Sequence, residues 1–520
     1  MNLDEFRYKL SDKAHADTVW LSLGFAFSEP QKPDVCKEAD MAKLFADSYR
    51  HIARYNRTAK EWYIYTGTHW EQDTGGCYAQ ELAKDFYHRL HSYMWKTEWK
   101  NPVDDEAEKK RREEQQAAVL RLHKLSRRKT LLEDARSVYP FSAEDLDTDS
   151  WILNCPNFTI DLRTGLCKAH SPDDMISMVS GADYDPTATA PRFERFINEI
   201  FSEPTLDGFK ERPNLVRFVQ MSLGYALTGS VAEDCLFMLF GPATRNGKTT
   251  LTEAVMSVLG DYSAKSKPDT LAYTGKPNAN AASEDVARLK GKRFVSISEP
   301  NKTMHLDAAK VKDMTGGGTQ TARFLHENSF EFKPEFKIFI DTNYRPRVTD
   351  ETLFSSGRVH VFPFERHFPA EEQEKDLSEK LLQEKSGILN WLLEGLRMYL
   401  ETGRLIPCEE SIKATEEYRE ESDKLGQFWA ERMEESKDNV KGGAVYKAFC
   451  DWCADGNIHP QAKGLFFDDL RKRGLMQPCA VNGQMDKNGI KGWRIKDDWQ
   501  EITSSDEYRR WSGYENVRSL

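Results

Sequence analysis

Long apolar runs are missing from this sequence of 520 residues, and none approaches the ~20 consecutive apolar residues that a membrane-spanning helix needs. A basic excess is missing too. Lysine and arginine total 73 against 84 aspartate and glutamate, a formal net charge of −11, so bulk positive potential does not coat nucleic acid and any such contact has to be local. A cysteine framework is likewise absent. Nine cysteines lie at irregular intervals, and only Cys450-Asp-Trp-Cys453 has metal or redox spacing. A zinc site there needs partners such as His459 and Cys479, but Val445, Phe449 and Trp452 share a helical pattern with the pair, and small thiols pack well in such a core. The opening residues, MNLDEFRYKL, put acids where a signal peptide has a basic and then an apolar segment, which leads to the expectation of a cytoplasmic chain without a membrane partner. No internal repeat or low-complexity tract is present.

What is present has the length for several modules, roughly three or four at ~100 to 200 residues per domain. ADMAKLFADSYRHIARYN, from Ala39, predicts a helix, and the aromatic alternation of EWYIYTGTHW around Gly67 predicts a hairpin. Between Asp104 and Arg136 the cluster Lys109, Lys110, Arg111 and Arg112 is flanked by Glu108, Glu113 and Glu114, so alternating charge favours a solvated helix over a DNA contact. TIDLRTG, ending at Gly165, predicts a second hairpin, and the Pro-, Asp- and Thr-rich stretch between Ser171 and Pro191 predicts a boundary. Arg192 to Leu227 reads as helical. After Phe364 the pattern is helical again, with ILNWLLEGLRMYL its strongest amphipathic piece and EEYREESDKLGQFW after it. The divisions expected are 1–185, 186–232, 233–370, 371–436 and 437–520.

GPATRNGKTT, Gly241 to Thr250, follows the apolar run CLFMLF and precedes Leu251, Ala254, Val255, Val258 and Leu259 at helical spacing. Glycines let a backbone approach phosphate oxygens, a lysine reaches the outer phosphates, a hydroxyl serves magnesium, and a helix N-terminus faces the anion. Gly241, Asn246, Gly247, Lys248, Thr249 and Thr250 are therefore the candidate nucleotide-binding set. Five residues separate Gly241 from Gly247 where four are usual, which leaves the role of the first glycine open.

RFVSISEP places a short strand before Glu299, a carboxylate able to hold hydrated magnesium or polarise the attacking water, while Ser298 stands where many such sites have a first acid. Thr249 and Glu299 are the expected metal residues. KIFIDTN ends another strand at Asn343, whose amide can sense the γ-phosphate. Arg358, in SSGRVHVFPF, is the candidate finger reaching a neighbouring subunit, with Arg345 and Arg347 as rivals. Between these strands TARFLHENSFEFK predicts a hairpin that brings Arg323, His326 and Lys333 to DNA phosphates, and a structural hairpin with solvated charges is the alternative. Asp145-Leu-Asp147 mimics a polymerase acid pair but lacks a β-rich setting, and is taken as a loop.

Taken together these motifs resemble superfamily 3 helicases, most closely the helicase part of phage, plasmid and poxvirus primase-helicases. The resemblance rests on GPATRNGKTT, RFVSISEP, KVKDMTGGGTQTARFLHENSFEFKP and KIFIDTNYRP in that order, and extends to NFTIDLRTG and ATEEYREESD on either side. It implies an α/β chain with an AAA+ P-loop ATPase core, an N-terminal α+β and helical region, and a C-terminal winged helix. It implies a hexamer that encloses single-stranded or forked DNA, hydrolyses ATP with Mg2+ at subunit boundaries and travels 3′ to 5′, with Lys312 coupling nucleotide state to the hairpin. Lys248, Glu299, Asn343 and Arg358 carry the catalytic roles under that resemblance. No room is expected for a primase domain ahead of the helicase, so a separate primase or polymerase is the expected partner, in a bacterial host cytoplasm. VYKAFCDWCADG, GLFFDDLRKRGL and CAVNGQMDKNGIKGWRI read as helix, helix and hairpin, with Asn482-Gly483 or Asn488-Gly489 at the turn and Arg471, Lys472 and Arg473 able to touch a backbone. The other functions compatible with these motifs are an origin-binding initiator scaffold and a packaging or remodelling motor without strand separation.

Overall fold

Strands of a parallel sheet are buried on both faces and so read as continuous apolar runs rather than alternating ones. Four segments here have that character, and they belong to one sheet. In the computed structural model, which describes residues 2–3, 5–6, 37–96, 106–273, 284–298, 300, 304–324, 329–348, 352–455 and 460–496, a five-stranded sheet is built from β1 (Leu236–Phe240), β2 (Ser263–Ser266), β3 (Phe294–Ser298), β4 (Lys337–Thr342) and β5 (Val359–Pro363). All neighbours pair parallel, in the order β2-β3-β4-β1-β5. The chain leaves β1, crosses to the far edge at β2, steps back to β4 beside β1, and places β5 on the other flank. Connections thus diverge on either side of β1, and the crevice at the carboxyl ends of such strands is where ligands bind in open α/β sheets.

A row of rings crosses one face of this sheet. Phe294 of β3 stacks on Phe339 of β4 at 4.3 Å, Phe339 on Phe237 of β1 at 4.8 Å, and Phe237 on Phe362 of β5 at 5.4 Å. Each such pair is worth about 0.5–1.5 kcal/mol beyond its buried area. At the opposite, amino-terminal end of the sheet three cations precede or open β3, β4 and β5 and clamp the segment that enters β1. Arg293 donates to Leu227 O at 2.8 Å, Lys337 to Thr228 O and Ser230 O, and Arg358 to Asp234 O at 3.0 Å.

Helices flank the sheet: α1 (Pro213–Tyr225), α2 (Lys248–Leu259), α3 (Ala308–Thr315) and α4 (Lys385–Thr402). The two apolar helices α1 and α4 pack closely because glycines meet backbone. A Cβ on Gly224 would lie 2.2 Å from Leu396 N, and one on Gly395 would lie 2.0 Å from Gln220 O.

Two compact units partition the chain, Met1–Thr349 with Ser356–Ile412, and Asp350–Ser355 with Lys413–Leu520. In the first, the helix Glu38–Tyr49 ends earlier than its pattern suggests, and Ala53–Asn56 is a strand paired antiparallel with Glu61–Tyr65, which pairs in turn with Trp70–Asp73. Tyr55 there packs on Trp62 across the ladder, and this β-aromatic pairing overrides the helical spacing. The charged stretch forms two helices, Glu106–Arg121 and Leu125–Ala135. A hairpin interrupts the region that reads as helical from Arg192: Glu203–Thr205 pairs with Gly208–Lys210 around Leu206-Asp207, and Gly208, which opens the second strand, is at φ 136°. The stretch before Pro191 has little regular structure yet is docked on α2, with Gly181 N donating to Val258 O at 2.8 Å.

In the second unit the helix Lys424–Arg432 leads into the strand Met433–Lys441, then come the helices Gly442–Asp455 and Lys463–Lys472, and the strand Gly489–Ile495 returns antiparallel to Met433–Lys441. The tight turn is Asn482-Gly483, at φ 50° and 78°, between Cys479–Val481 and Gln484–Asp486. Both central residues are left-handed, the geometry a two-residue hairpin needs. Cys453 is buried beside Val445, Phe449 and Trp452 in this unit's core, and no group of three or more metal-binding side chains occurs among the described residues. No helix among them is long and apolar enough to cross a membrane.

Candidate functional site

The phosphate-loop sequence sits between β1 and α2, at the carboxyl end of the sheet. Gly247 immediately precedes α2 at φ 87°, a conformation costly for any residue with a Cβ. Gly241 is fixed by proximity instead: a Cβ there would lie 2.2 Å from Asn246 Nδ2 and 2.6 Å from Phe364 O. The additional residue between the two glycines is absorbed at Arg245, which turns left-handed at φ 57°. The loop tip is braced by Phe368 N donating to Arg245 O at 3.0 Å, His367 Nδ1 lying 2.8 Å from Thr244 O, and Asn246 Nδ2 donating to Ala243 O at 2.8 Å.

Lys248, the first residue of α2, is 4% exposed. Its ammonium donates to Asn343 Oδ1 at 2.7 Å, Asn246 Oδ1 at 3.0 Å and Gly241 O at 3.4 Å. Burial lowers its proton affinity, and Asp341, whose carboxylate lies 3.8 Å away, works in the other direction. An ammonium that is buried and, among the described residues, held by neutral oxygens and one carboxylate at 3.8 Å is poised for an anion. Asn343 follows the end of β4, where Tyr344 N donates to Thr342 Oγ1 at 3.0 Å and Gly241 N to Thr342 O at 3.3 Å, tying the strand end to the loop. The structure thus brings together Gly241, Asn246, Lys248 and Asn343. Thr250 continues the first turn of α2.

One residue of the site was not anticipated from the sequence. Asp341, in β4, accepts a hydrogen bond from Thr249 Oγ1 at 2.9 Å and is itself 5% exposed. The signal was available: in KIFIDTN the acid stands two residues before Asn343, so strand alternation puts the two side chains on one face. A hydroxyl and a carboxylate this close make a hard-oxygen pair of the kind magnesium takes, and the glycine cradle with Lys248 fits the phosphates of a nucleotide, so the residues present fit both groups. Ser298, the last residue of β3, is directly across the ladder from Asp341. Glu299 lies outside the described residues.

Arg358 stands at the other end of the sheet, its carbonyl accepting from Leu236 N at 2.7 Å. Its guanidinium is engaged within the chain, by Asp234 O at 3.0 Å, Thr315 Oγ1 at 2.9 Å and Asp234 Oδ2 at 3.2 Å. Of its rivals, Arg345 lies with its guanidinium 4.2 Å from the Phe240 ring, against the loop of its own chain, and Arg347 belongs to a two-residue strand paired with His305-Leu306.

The hairpin region forms a short antiparallel pair, Gln320–Ala322 with Phe330–Phe332. The first strand begins two residues earlier than its alternation suggests, because the three glycines 316–318 free the chain from α3 sooner. Phe324 stacks on Phe330 at 5.8 Å and the Lys290 ammonium lies 5.6 Å from the Phe330 ring. Arg323 is half-buried just beyond the first strand, Lys333 is exposed just beyond the second, and Lys312 is half-buried in α3. His326 lies outside the described residues. Asp145 and Asp147 are both spent on structural hydrogen bonds, the first within its own turn and the second to Ser177. Asp145 accepts from Ser142 N at 2.6 Å in a capping box, and Asp147, at φ 54°, accepts from Ser177 N at 2.8 Å.

Comparison with known proteins adds to this geometry. Residues 42–202 match the family model described as "D5 N terminal like". The chain is 23% identical over 444 residues to "Putative helicase L207/L206" of Acanthamoeba polyphaga mimivirus, covering 79% of this chain and 45% of that protein. It is 29% identical over 287 residues to "Putative helicase 022R" of Frog virus 3, covering 51% and 28%, and 26% identical over 239 residues to "Putative primase C962R" of African swine fever virus, covering 42% and 25%. The chain thus spans less than half the length of each of these relatives. Among solved structures, the apo NrS-1 C-terminal region aligns over 87% of this chain and 98% of that one at 10% identity, with a TM-score of 0.44.

Proposed function

We propose, on the support these matches give to a primase-helicase family of the superfamily 3 type, that the chain is an ATP-driven DNA helicase that works in replication. The observation that carries this reading is the clasp between Lys248, buried at the start of α2, and Asn343, just past the end of β4, 2.7 Å apart beside the glycine loop. Bound ATP with Mg2+ supplies the energy and shields phosphate charge. The chain's own residues do the rest. Lys248 exchanges Asn343 for the outer phosphates, and Asn343, released, takes up a hydrogen bond that reports whether the γ-phosphate is intact. Thr249 presents its hydroxyl on the metal side, and Glu299 orients the attacking water.

The finer parts of the reading are a hexameric AAA+ ring, travel 3′ to 5′ on single-stranded DNA, and contact with that strand through Arg323, His326, Lys333 and Lys312. The parallel order β2-β3-β4-β1-β5 supports an AAA+ core, and the short hairpin after α3 supports a DNA-facing element. For Arg358 to act on a neighbouring subunit it must first release Asp234 and Thr315. The relatives named above come from eukaryotic viruses, which supports a viral element as part of the reading. In the second unit, Arg471 is paired with Asp468 and Asn488, Arg473 with Asp423, and Lys472 with Asp469. Basic groups already satisfied by local acids favour a winged helix that docks a protein over one that grips DNA.

The test is hydrolysis and strand separation on duplexes with a 3′ or a 5′ single-stranded tail, with Lys248→Ala as control. Wild-type protein should hydrolyse ATP, faster with single strands, and unwind the 3′-tailed substrate. Hydrolysis without separation on either tail would instead indicate an initiator scaffold or a motor of another kind.

A further inference from the structure

We infer that Asp341 is the carboxylate of the metal site, supplied from β4 in place of the acid missing at Ser298. The inference rests on the nucleotide reading above and adds a residue to it. Phosphate-loop sites of this type hold magnesium through the loop hydroxyl and an acid at the end of a neighbouring strand. Here the strand that carries Glu299 ends in Ser298, which has no charge to offer. Ser298 and Asp341 are partners in the parallel β3–β4 ladder, so a carboxylate at either position stands at nearly the same height along the sheet, one strand spacing of ~4.8 Å apart. The two residues are not equivalent relative to the loop. β4 lies directly beside β1 in the sheet, whereas β3 is one strand further out, and it is Asp341 that the loop hydroxyl of Thr249 already touches, at 2.9 Å.

Burial makes the assignment sharper. Asp341 is 5% exposed, lies 3.8 Å from the Lys248 ammonium and accepts a hydrogen bond from the neutral hydroxyl of Thr249. A charge placed there costs several kcal/mol of desolvation unless a cation compensates it. A lysine that moves to phosphate withdraws its share of that compensation, and a divalent cation arriving with the nucleotide replaces it. In this arrangement Asp341 positions metal, Glu299 is freed to act on water alone, and Asn343, two residues on, senses phosphate from the same strand face.

The experiment is nucleotide binding by calorimetry, in magnesium and in EDTA, on wild type, Asp341→Asn, Asp341→Ser and the double variant Ser298→Asp/Asp341→Ser. Wild type should bind ATP at least tenfold tighter with magnesium than without. Asp341→Asn and Asp341→Ser should keep their metal-free affinity within threefold while the magnesium gain falls toward onefold, and the magnesium needed for half-maximal hydrolysis should rise at least tenfold. The double variant, with the carboxylate returned across the ladder, should recover most of the magnesium gain. Asp341→Asn is nearly isosteric and keeps the Thr249 bond, so it carries the test if the serine variant does not fold. An undiminished magnesium gain in Asp341→Asn overturns the assignment. Wild type that binds no adenine nucleotide under either condition overturns the nucleotide reading itself, a different outcome.

Discussion

The Lys248 ammonium lies 2.7 Å from Asn343 Oδ1, joining the helix that starts at the phosphate loop to the end of a strand 95 residues further along the chain. The Asp341 carboxylate stands 3.8 Å from the same ammonium, beyond hydrogen-bond distance, so neutral oxygens hold Lys248 until an anion arrives. Asn343→Ala should therefore leave nucleotide binding within a few fold of wild type, because Lys248 keeps Asn246 and Gly241 as anchors. Hydrolysis should fall about 10- to 100-fold, the equivalent of one hydrogen bond to a charged group at about 1.5–3 kcal/mol. Lys248→Ala should abolish both. Binding by calorimetry and turnover on the same preparations separate the two residues.

The close seating of α1 on α4 gives a prediction about stability that is independent of function. Gly395→Ala drives a Cβ to 2.0 Å from Gln220 O, a backbone atom that cannot move aside without parting the helices. The expected cost is about 1–3 kcal/mol or more of overpacking. Gly443, near the start of the helix Gly442–Asp455, has nothing within 4 Å of the same position. There an alanine should be neutral, or stabilising by about 0.4–1 kcal/mol through the unfolded chain. Urea unfolding of the two variants should move in opposite directions or differ by at least the overpacking cost.

The parts of this fold visible in the sequence are those where one physical rule dominates. The strands ending at Phe240, Ser298, Thr342 and Pro363 are apolar because both their faces are buried, and the loop Gly241 to Thr249 is legible because phosphate binding needs those residue types at that spacing. The edge strand Ser263–Ser266, SAKS, has no such signature, since its exposed side relaxes the demand for apolar residues. Met433–Lys441, MEESKDNVK, is hidden for the same reason: it is largely exposed and pairs on one side only. Asp341 was overlooked because an acid inside an apolar run looks like an interruption until its register beside Thr249 is known. The clamp formed by Arg293, Lys337 and Arg358 was illegible in principle. Its acceptors are backbone carbonyls of 227–234, which every sequence possesses, and only the fold brings them together.

That clamp bears on Arg358. Three bonds to Asp234 and Thr315 hold it between the entry to β1 and the end of α3, so Arg358→Ala should lower the unfolding midpoint of nucleotide-free protein. Losing bonds to partly buried acceptors is worth about 1–3 kcal/mol. Arg358→Lys keeps the charge but not the fork, and should recover only part of it. If hydrolysis in the assembled state disappears while the midpoint of Arg358→Ala is unchanged, the residue acts wholly on the neighbouring subunit. If both fall, the same guanidinium serves the clamp and the neighbour at different stages.

His360 provides a test by acid. It sits in β5 with its ring 5.7 Å from Phe237 and 5.5 Å from Phe218, and burial pushes its pKa from 6.5 down to about 4. A base whose affinity for protons is weaker when folded binds more protons when unfolded, so between these two values stability rises with pH. The contribution is complete above about pH 6.5 and is lost as pH falls toward 4, a change on the order of 3 kcal/mol at 1.36 kcal/mol per pKa unit. His360→Phe removes the proton site while keeping a ring between Phe218 and Phe237. Its unfolding midpoint should depend less on pH than wild type between pH 4 and 6.5, and the two curves should run parallel above pH 7. Parallel curves across the acid range as well would mean that His360 already reaches solvent readily enough to be protonated in place, and that the aromatic row of the sheet is looser at β5 than its ring distances indicate.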